Sequence, residues 1–196
     1  MTDQNQQIDA ESYASELNAF RAEKDQFFAR APQSPIPHED RHAGFSGLSY
    51  YPPDLAFRVP AEVVPFDSPA VVQMATSTGE IRPQLRYAEL RFRIGDQELH
   101  LVGFTDPEDA AEPEELFVPF RDATSTRETY GAGRYLEIAV EYHGNGHAKT
   151  PTATIDFNLA YNPYCAYSPY YSCPIPPAEN TLPIAITAGE RNYITH

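Results

Sequence analysis

The stretch Arg86–Phe104, RYAELRFRIGDQELHLVGF, decides the class of fold. Along it Ala88, Leu90, Phe92 and Ile94 alternate with Tyr87, Glu89, Arg91 and Arg93. Period two is the mark of a strand with one dry and one wet face. Gly95 and Asp96 then supply a tight turn, and Glu98–Phe104 returns as the second strand of a hairpin.

Working outward, further strands are predicted at Ala56–Val64, Ala70–Thr76, Leu116–Phe120, Arg134–Tyr142, Ala153–Asn158 and Leu182–Thr187. Loops separate them: an acidic one at Asp106–Glu115, DPEDAAEPEE, and a turn HGNGH at His143–His147. Residues 1–8 form a polar tail. Asp9–Arg30 reads as a helix, with Asp9 as N-cap, Ala31-Pro32 as the stop, and Tyr13, Leu17, Phe20, Phe27 and Phe28 as an apolar stripe. Pro32–Asp54 is too broken for a regular element. Nineteen prolines argue against a helical bundle, and no internal repeat is present. The expectation is one mainly β domain over residues 32–196 behind an N-terminal α-helix at 9–31. Its architecture is an antiparallel sandwich or barrel of about eight strands.

Twenty-eight acidic residues oppose fourteen basic ones, a formal net charge of −14, and Lys24 and Lys149 are the lysines. Such a surface repels phosphate backbones and anionic lipid, which excludes non-specific nucleic-acid and membrane binding. Scarce lysine with excess acid favours a chain adapted to high salt over an ordinary acidic protein. No apolar run approaches the roughly 20 residues that cross a bilayer, and the N-terminus is polar rather than signal-like. The expected location is the cytoplasm, where cysteines are reduced unless redox-active or metal-bound.

The densest concentration of unusual residues is Asp156–Asn180, DFNLAYNPYCAYSPYYSCPIPPAEN. It holds both cysteines, five tyrosines and five prolines, and from Leu159 to Ala178 no charge. Prolines exclude a helix, and the absence of charge makes a solvated loop unsuitable. An irregular segment that plugs a core or lines a pocket is the reading that remains. A second concentration, Leu116–Ile138, places Asp122, Thr124, Glu128, Tyr130 and Arg134 around Gly131 and Gly133.

LFVPFRDATS, ETYGAGRYLEI, the Asp156–Asn180 run and the closing LPIAITAGE resemble the domain-of-unknown-function family 1684. The likeness spans about Arg41 to Glu190 and includes RHAGFSGLSYYPPDLAFRV. It implies that Asp122, Thr124, Glu128, Tyr130, Arg134, Asp156, Asn158, Tyr161, Asn162, Cys165 and Cys173 belong to a shared pattern, and it implies no activity. Members tend to carry Ser-Gly where this chain has Ser125-Thr126, so a different turn is expected there.

Each residue has a scaffold reading beside a functional one. Arg134 pairs with Asp122, Glu128 or Asp156, or it grips a carboxylate or phosphate while an acid serves as base. Asp156 and Asn158 share a face and cap turns or face a ligand, with Phe157 pointing into the core. Cys165 and Cys173 are buried fillers first, a disulfide or redox pair second, and metal ligands last, because their spacing fits no zinc knuckle. The tyrosines stack on a flat ligand or pack on one another.

Two functions from different classes stay open. The preferred one is a small-molecule-binding or interaction module for an anionic or aromatic ligand. Its pocket is framed by Thr129–Arg134 and Asp156–Asn180, with Thr124, Glu128, Tyr130, Arg134, Asp156, Asn158, Tyr161 and Asn162 as ligand-binding candidates. The alternative is a hydrolase-like enzyme drawing on Asp122, Arg134, Asp156 and Cys165. Neither names a cofactor, a metal or an oligomeric state. The charge itself makes a prediction. Raising sodium chloride to about 1 M, where the screening length falls to about 3 Å, should lift the thermal midpoint by about 5 °C. A flat or falling midpoint in a scanning-calorimetry salt series removes the salt-adapted reading.

Overall fold

In the computed structural model, which describes residues 9–109, 111–144 and 150–193, the predicted hairpin is the centre of the sheet. Its strands are β2 (Ile81–Ile94) and β3 (Gln97–Thr105), preceded by β1 (Arg58–Ala75) and followed by β4 (Glu115–Phe120), β5 (Arg134–His143) and β6 (Thr150–Asp156). These six strands of the described residues close in chain order into an antiparallel barrel. Closure runs through β1 and β6, with Ala61 opposite Ala153 and Arg58 opposite Asp156. Closing the sheet removes its free edges.

The strand count falls from eight to six for two physical reasons. The first two predicted strands are one, β1, because pairing with β2 survives a register shift between Pro65 and Ala70. The last, Leu182–Thr187, has no ladder. Its backbone groups go to separate partners: Leu182 N donates to Arg121 O at 2.8 Å, Ile184 O accepts from Ala123 N at 3.0 Å, Ile186 N donates to Asp122 Oδ1 at 3.2 Å, and Ile186 O accepts from Arg134.

Inside the barrel the alternation of β2 holds, with Ala88, Leu90 and Phe92 buried and Arg91 and Arg93 exposed. Tyr87, expected on the outer face, is buried in the core. A register irregularity against β3 between Arg86 and Ala88 shifts the phase of the pleat, so Leu85 and Tyr87 face inward as well. Phe157 fills the end of the core as expected, its ring centroid 5.4 Å from Phe120 and 5.7 Å from Phe92.

One seam is thin. β3 and β4 share a single paired position, Phe104 with Phe117. Buried Asn180 fills the gap: its Oδ1 accepts from Val102 N at 2.8 Å, and its Nδ2 donates to Val102 O at 2.9 Å and Pro119 O at 2.8 Å. One amide thereby supplies the ladder bonds that the two strands do not make to each other.

Outside the barrel lies α1 (Ala10–Arg30), capped by Asp9, whose carboxylate accepts from Ser12 N at 2.9 Å. Its attachment is more polar than its stripe implied, because Phe20 and Phe27 stay exposed. Tyr13 donates to Asp156 at 2.8 Å, and buried Arg21 donates to Tyr51 O at 2.9 Å and Asn158 O at 3.2 Å. The region expected to be wholly irregular contains a short helix, α2 (His38–Gly44), anchored where Arg41 donates to Ala31 O at 2.8 Å. No helix among the described residues is long and apolar enough to cross a membrane.

Because three hydrogen bonds converge on one side chain in the seam, Asn180→Ala is expected to destabilise the fold by about 2–4 kcal/mol. The shift of the urea unfolding midpoint measures it. A change below about 1 kcal/mol would mean that water replaces the amide and the seam does not depend on it.

Candidate functional site

The two concentrations of unusual residues do meet, but through the scaffold. Arg134 is buried at the start of β5, and its guanidinium donates to Asp122 Oδ2 at 2.9 Å. The same fork donates to the carbonyls of Ile186 at 2.9 Å and Glu190 at 3.1 Å, and also to that of Ala188. Asp122 is equally committed, accepting from Thr124 N at 2.8 Å and Thr124 Oγ1 at 2.6 Å, while Thr124 bonds Thr129 at 2.8 Å. Of the three acids open to Arg134, Asp122 is the partner. Glu128 instead accepts from Tyr51 Oη at 3.0 Å.

Gly133, just before Arg134, has φ +107°, and a Cβ there would lie 2.6 Å from both Phe120 O and Pro176 Cγ. Its close backbone approach admits the proline strut rather than a phosphate. Thr126 adopts φ +74°, so a β-branched residue occupies a left-handed position at a cost of about 1–2 kcal/mol.

Asp156 and Asn158 are also bound within the fold, though not on one strand face, since β6 ends at Asp156 and a 3-10 turn begins at Phe157. Asp156 caps that turn, accepting from Asn158 N at 3.0 Å, and takes Tyr13 and Arg58 as partners. Asn158 holds Asp54 by bonds of 2.9 and 2.8 Å. Asn162 donates to Arg191 O at 2.8 Å.

A buried carboxylate that the sequence reading passed over, Glu190, joins the parts. It pairs with Lys24 of α1 and accepts from Asn162 N at 2.8 Å and Tyr167 Oη at 2.5 Å. Helix, Tyr/Pro segment and C-terminal strap therefore converge on one side chain. Burial, with Glu190 second, pushes the Tyr167 hydroxyl well above its usual pKa and keeps it a donor. Lys24 could have been singled out as one of two lysines in an acidic chain; a lone Glu near the end of LPIAITAGE gave no comparable signal.

Concave surface lies elsewhere on the segment. A cavity of about 640 Å³ opens between α1, β5 and the Tyr/Pro run. Its apolar wall is Phe20, Phe27, Phe28, Tyr164 and Tyr171, its cations are Lys24 and Arg82, and Cys173 borders it. The Lys24 ammonium stands 5.1 Å from the Tyr161 ring centroid and 5.5 Å from that of Phe28. The floor is Tyr135, Tyr161 and Glu137, with Tyr161 Oη donating to Glu137 at 2.6 Å. Solvent reaches Glu137, yet the recess still raises its pKa above the usual carboxylate range, with Tyr161 opposing the shift. Beyond that floor a second, acidic hollow of about 870 Å³ shares Arg82, Tyr135, Glu137, Tyr161 and Pro174.

Of the candidates named from sequence, Tyr161 lines this cavity. Thr124, Glu128, Tyr130, Arg134, Asp156, Asn158, Asn162 and Asp122 do not. Both cysteines are free thiols, Cys173 buried and Cys165 partly exposed. The filler reading fits Cys173, and Cys165 lies beside it, its N–H donating to Cys173 Sγ at 3.2 Å. No group of three or more His, Cys, Asp or Glu able to hold a metal occurs among the described residues, and His147 lies outside them.

The family model described as a protein of unknown function, DUF1684, matches residues 43–191. The chain is also similar to the solution NMR structure of an uncharacterised protein from Haloarcula marismortui, with 42% identity and a TM-score of 0.69. That match covers 95% of this chain and 97% of the other. No curated protein matches.

Replacing Arg134 by Met would leave Asp122 as an unpaired buried charge and orphan the strap carbonyls. The expected loss is about 3–5 kcal/mol, read from urea unfolding. An unchanged midpoint would refute the pinning role.

Proposed function

We propose, for a chain that belongs to the DUF1684 family of proteins of unknown function, a role as a small-molecule-binding module that takes a flat aromatic or apolar anion. The observation that carries this reading is the cavity against α1, where three aromatic rings stay half-open. Phe20 is 51% exposed, and Phe27 and Tyr164 are each 39% exposed. All three face one recess beside two cations, so they form a lined hollow rather than scattered surface residues. Its volume lies within the range of roughly 300–1,000 Å³ usual for ligand sites.

Ligand chemistry follows from the lining. Edge-to-face rings such as Tyr164 and Tyr171, with centroids 5.2 Å apart, offer flat contact to a planar body. Lys24 is engaged by Glu190, so the cation with donors to spare is exposed Arg82, which has one bond, to Ser172 O at 2.9 Å. A carboxylate, sulfonate or phosphate at that rim would be met by a planar fork of donors. Asp122, Arg134 and Asp156 make every bond described for them within the scaffold, and no observation favours them as catalytic groups. The binding role therefore rests on a different wall of the Tyr/Pro segment from the one facing Arg134.

Anilinonaphthalene sulfonate, a flat aromatic anion, probes this site directly. The folded protein is expected to bind about one equivalent, with Phe27→Asp weakening binding about tenfold and Arg82→Gln about threefold, amounts typical of a lost ring contact and a lost exposed ion pair. Native mass spectrometry of protein purified from its own host would then reveal a retained ligand. Dye binding that ignores both substitutions overturns the reading.

A further inference from the structure

The Tyr/Pro segment carries a second feature that ligand binding does not use. Cys165 and Cys173 are eight positions apart, yet the fold lays them against each other. Cys173 is fixed to the end of β1: its N–H donates to Ser77 Oγ at 3.1 Å, its carbonyl accepts from Ser77 N at 2.9 Å, and Ile175 N donates to Ala75 O at 2.8 Å. Cys165 sits in the 3-10 turn Tyr164–Ala166, its N–H aimed at Cys173 Sγ. From the opposite side Tyr130 Oη reaches Cys165 Sγ at 3.7 Å and Cys165 O at 3.5 Å. Between them the chain dips into the core at Tyr167 and Ser168 and emerges at Tyr170, which is 89% exposed. Cys165 is partly exposed and Cys173 is buried, and each is held from its own element.

We propose that Cys165 and Cys173 form a hydroperoxide-reactive dithiol, with Cys165 as the nucleophile, Cys173 as the resolving thiol, and Tyr130 as the residue that positions the Cys165 sulfur.

The division of roles follows from the asymmetry of the pair. The Cys173 thiol donates to the Cys165 sulfur, and that bond, reinforced by Tyr130 and Ser77 against the opposing effect of burial, draws the Cys165 pKa down to about 6. Donating its proton to Cys165, together with burial, raises the pKa of Cys173. Of the two thiols Cys165 is thus the one that ionises first, and the thiolate is the form that attacks peroxide. Its sulfur takes the distal oxygen of the hydroperoxide, the O–O bond breaks, and the alkoxide or hydroxide leaves and picks up a proton. Cys165 is then a sulfenic acid. Loss of the negative charge on Cys165 removes what held the proton on Cys173. Cys173 deprotonates and attacks the Cys165 sulfur, the S–O bond breaks, and the hydroxyl leaves as water. In total two thiols lose two electrons and two protons, and one hydroperoxide becomes an alcohol, or water, plus a water.

Arg134, named from sequence beside Cys165 as a catalytic candidate, plays no part, since both its terminal nitrogens are bound to Asp122 and the strap. Activation by a neighbouring thiol and a tyrosine needs no fixed positive charge. That arrangement suits a segment with no charged residue from Leu159 to Ala178.

The test uses the full reduced chain at neutral pH with one equivalent of hydrogen peroxide, followed by mass spectrometry and peptide mapping. The expected product is an intramolecular Cys165–Cys173 disulfide that added dithiothreitol reverses. Cys173→Ser should accumulate a sulfenic acid on Cys165, captured by dimedone, and Cys165→Ser should lose its remaining thiol at least tenfold more slowly. In the native wild-type chain, the alkylation rate of Cys165 should reach half its maximum well below the pH of an ordinary thiol. Tyr130→Phe should move that midpoint upward and slow oxidation severalfold, shifts that a merely structural hydroxyl would not cause. Equal peroxide rates in the two serine variants, disulfides formed only between molecules, or a Cys165 pH profile like that of a free thiol would each overturn the proposal. Run on protein without added dye, these readouts can fail while dye binding persists, and the reverse.

Discussion

The interaction on which the remainder of the structure rests is the buried pair of Arg134 and Asp122. Isolated buried ion pairs contribute little net stability, because desolvation offsets most of their attraction. This one differs in that most of its hydrogen bonds go to backbone, with Arg134 Nε left without a partner among the described residues. Arg134 reaches the carbonyls of Ile186, Ala188 and Glu190, and Asp122 takes the N–H groups of Thr124 and Ile186. A strap buried without a partner strand would leave those groups unsatisfied, at a cost of about 1–3 kcal/mol each. The pair therefore takes over from the backbone of Arg121 and Ala123, which bonds Leu182 and Ile184, and fixes the strap from Ile186 to Glu190 without a ladder.

From that pin the other irregular parts take their places. The strap delivers Gly189 and Glu190 to the base of the Tyr/Pro segment. Gly189 has φ +76°, and a Cβ there would sit 2.6 Å from Ala160 O, so the chain passes as close as backbone allows. Glu190 then gathers Lys24, Asn162 and Tyr167 around one carboxylate. Helix α1 is held to the barrel less by an apolar stripe than by this polar clasp and by Arg21, whose guanidinium lies 4.6 Å from the Tyr50 ring. Polar fixation leaves the rings of Phe20 and Phe27 unburied, and that is how a hollow can exist beneath the helix.

The parts legible in the sequence were those governed by short-range rules. Period-two alternation located the hairpin, a capping Asp located the start of α1, and Phe157 was read as a core residue between two polar neighbours. The pairing of Arg134 with one of three acids was legible as a set, and only the three-dimensional meeting selected Asp122. What was not legible depended on long-range meetings. The bulge that turns Tyr87 inward, the Asn180 amide in the β3–β4 seam and the Glu190 clasp all join residues far apart in the chain, and nothing in their local sequence distinguishes them from turn residues. The placement of the recess followed the same limit. The Tyr/Pro segment was expected to frame a pocket with Thr129–Arg134; the recess along it is lined from the helix by Phe20, Lys24 and Phe27. That helix read as an apolar stripe and so as pure packing, because a stripe that packs and a stripe that lines a recess have the same period.

The geometry of the barrel explains why the recess had to lie outside it. Six strands enclose an interior that their own side chains fill, here Leu90, Leu101, Val118, Leu136 and Ile155 with Phe120 and Phe157 at the end. Such a barrel has no lumen to lend to a ligand, so any recognition surface must be built from what is laid against its outer face. A regular strand or helix laid there would bury its apolar face and leave nothing concave. The prolines of Asp156–Asn180 prevent that outcome by denying the segment a regular hydrogen-bonding pattern. The segment consequently touches the barrel at separate points, through Tyr161 against Tyr135, Pro174 against Thr76, and Asn180 in the seam. Between such points Tyr164 and Tyr170 remain exposed. The feature that makes this stretch unreadable as secondary structure is thus the same one that produces a recess and sets two cysteines face to face.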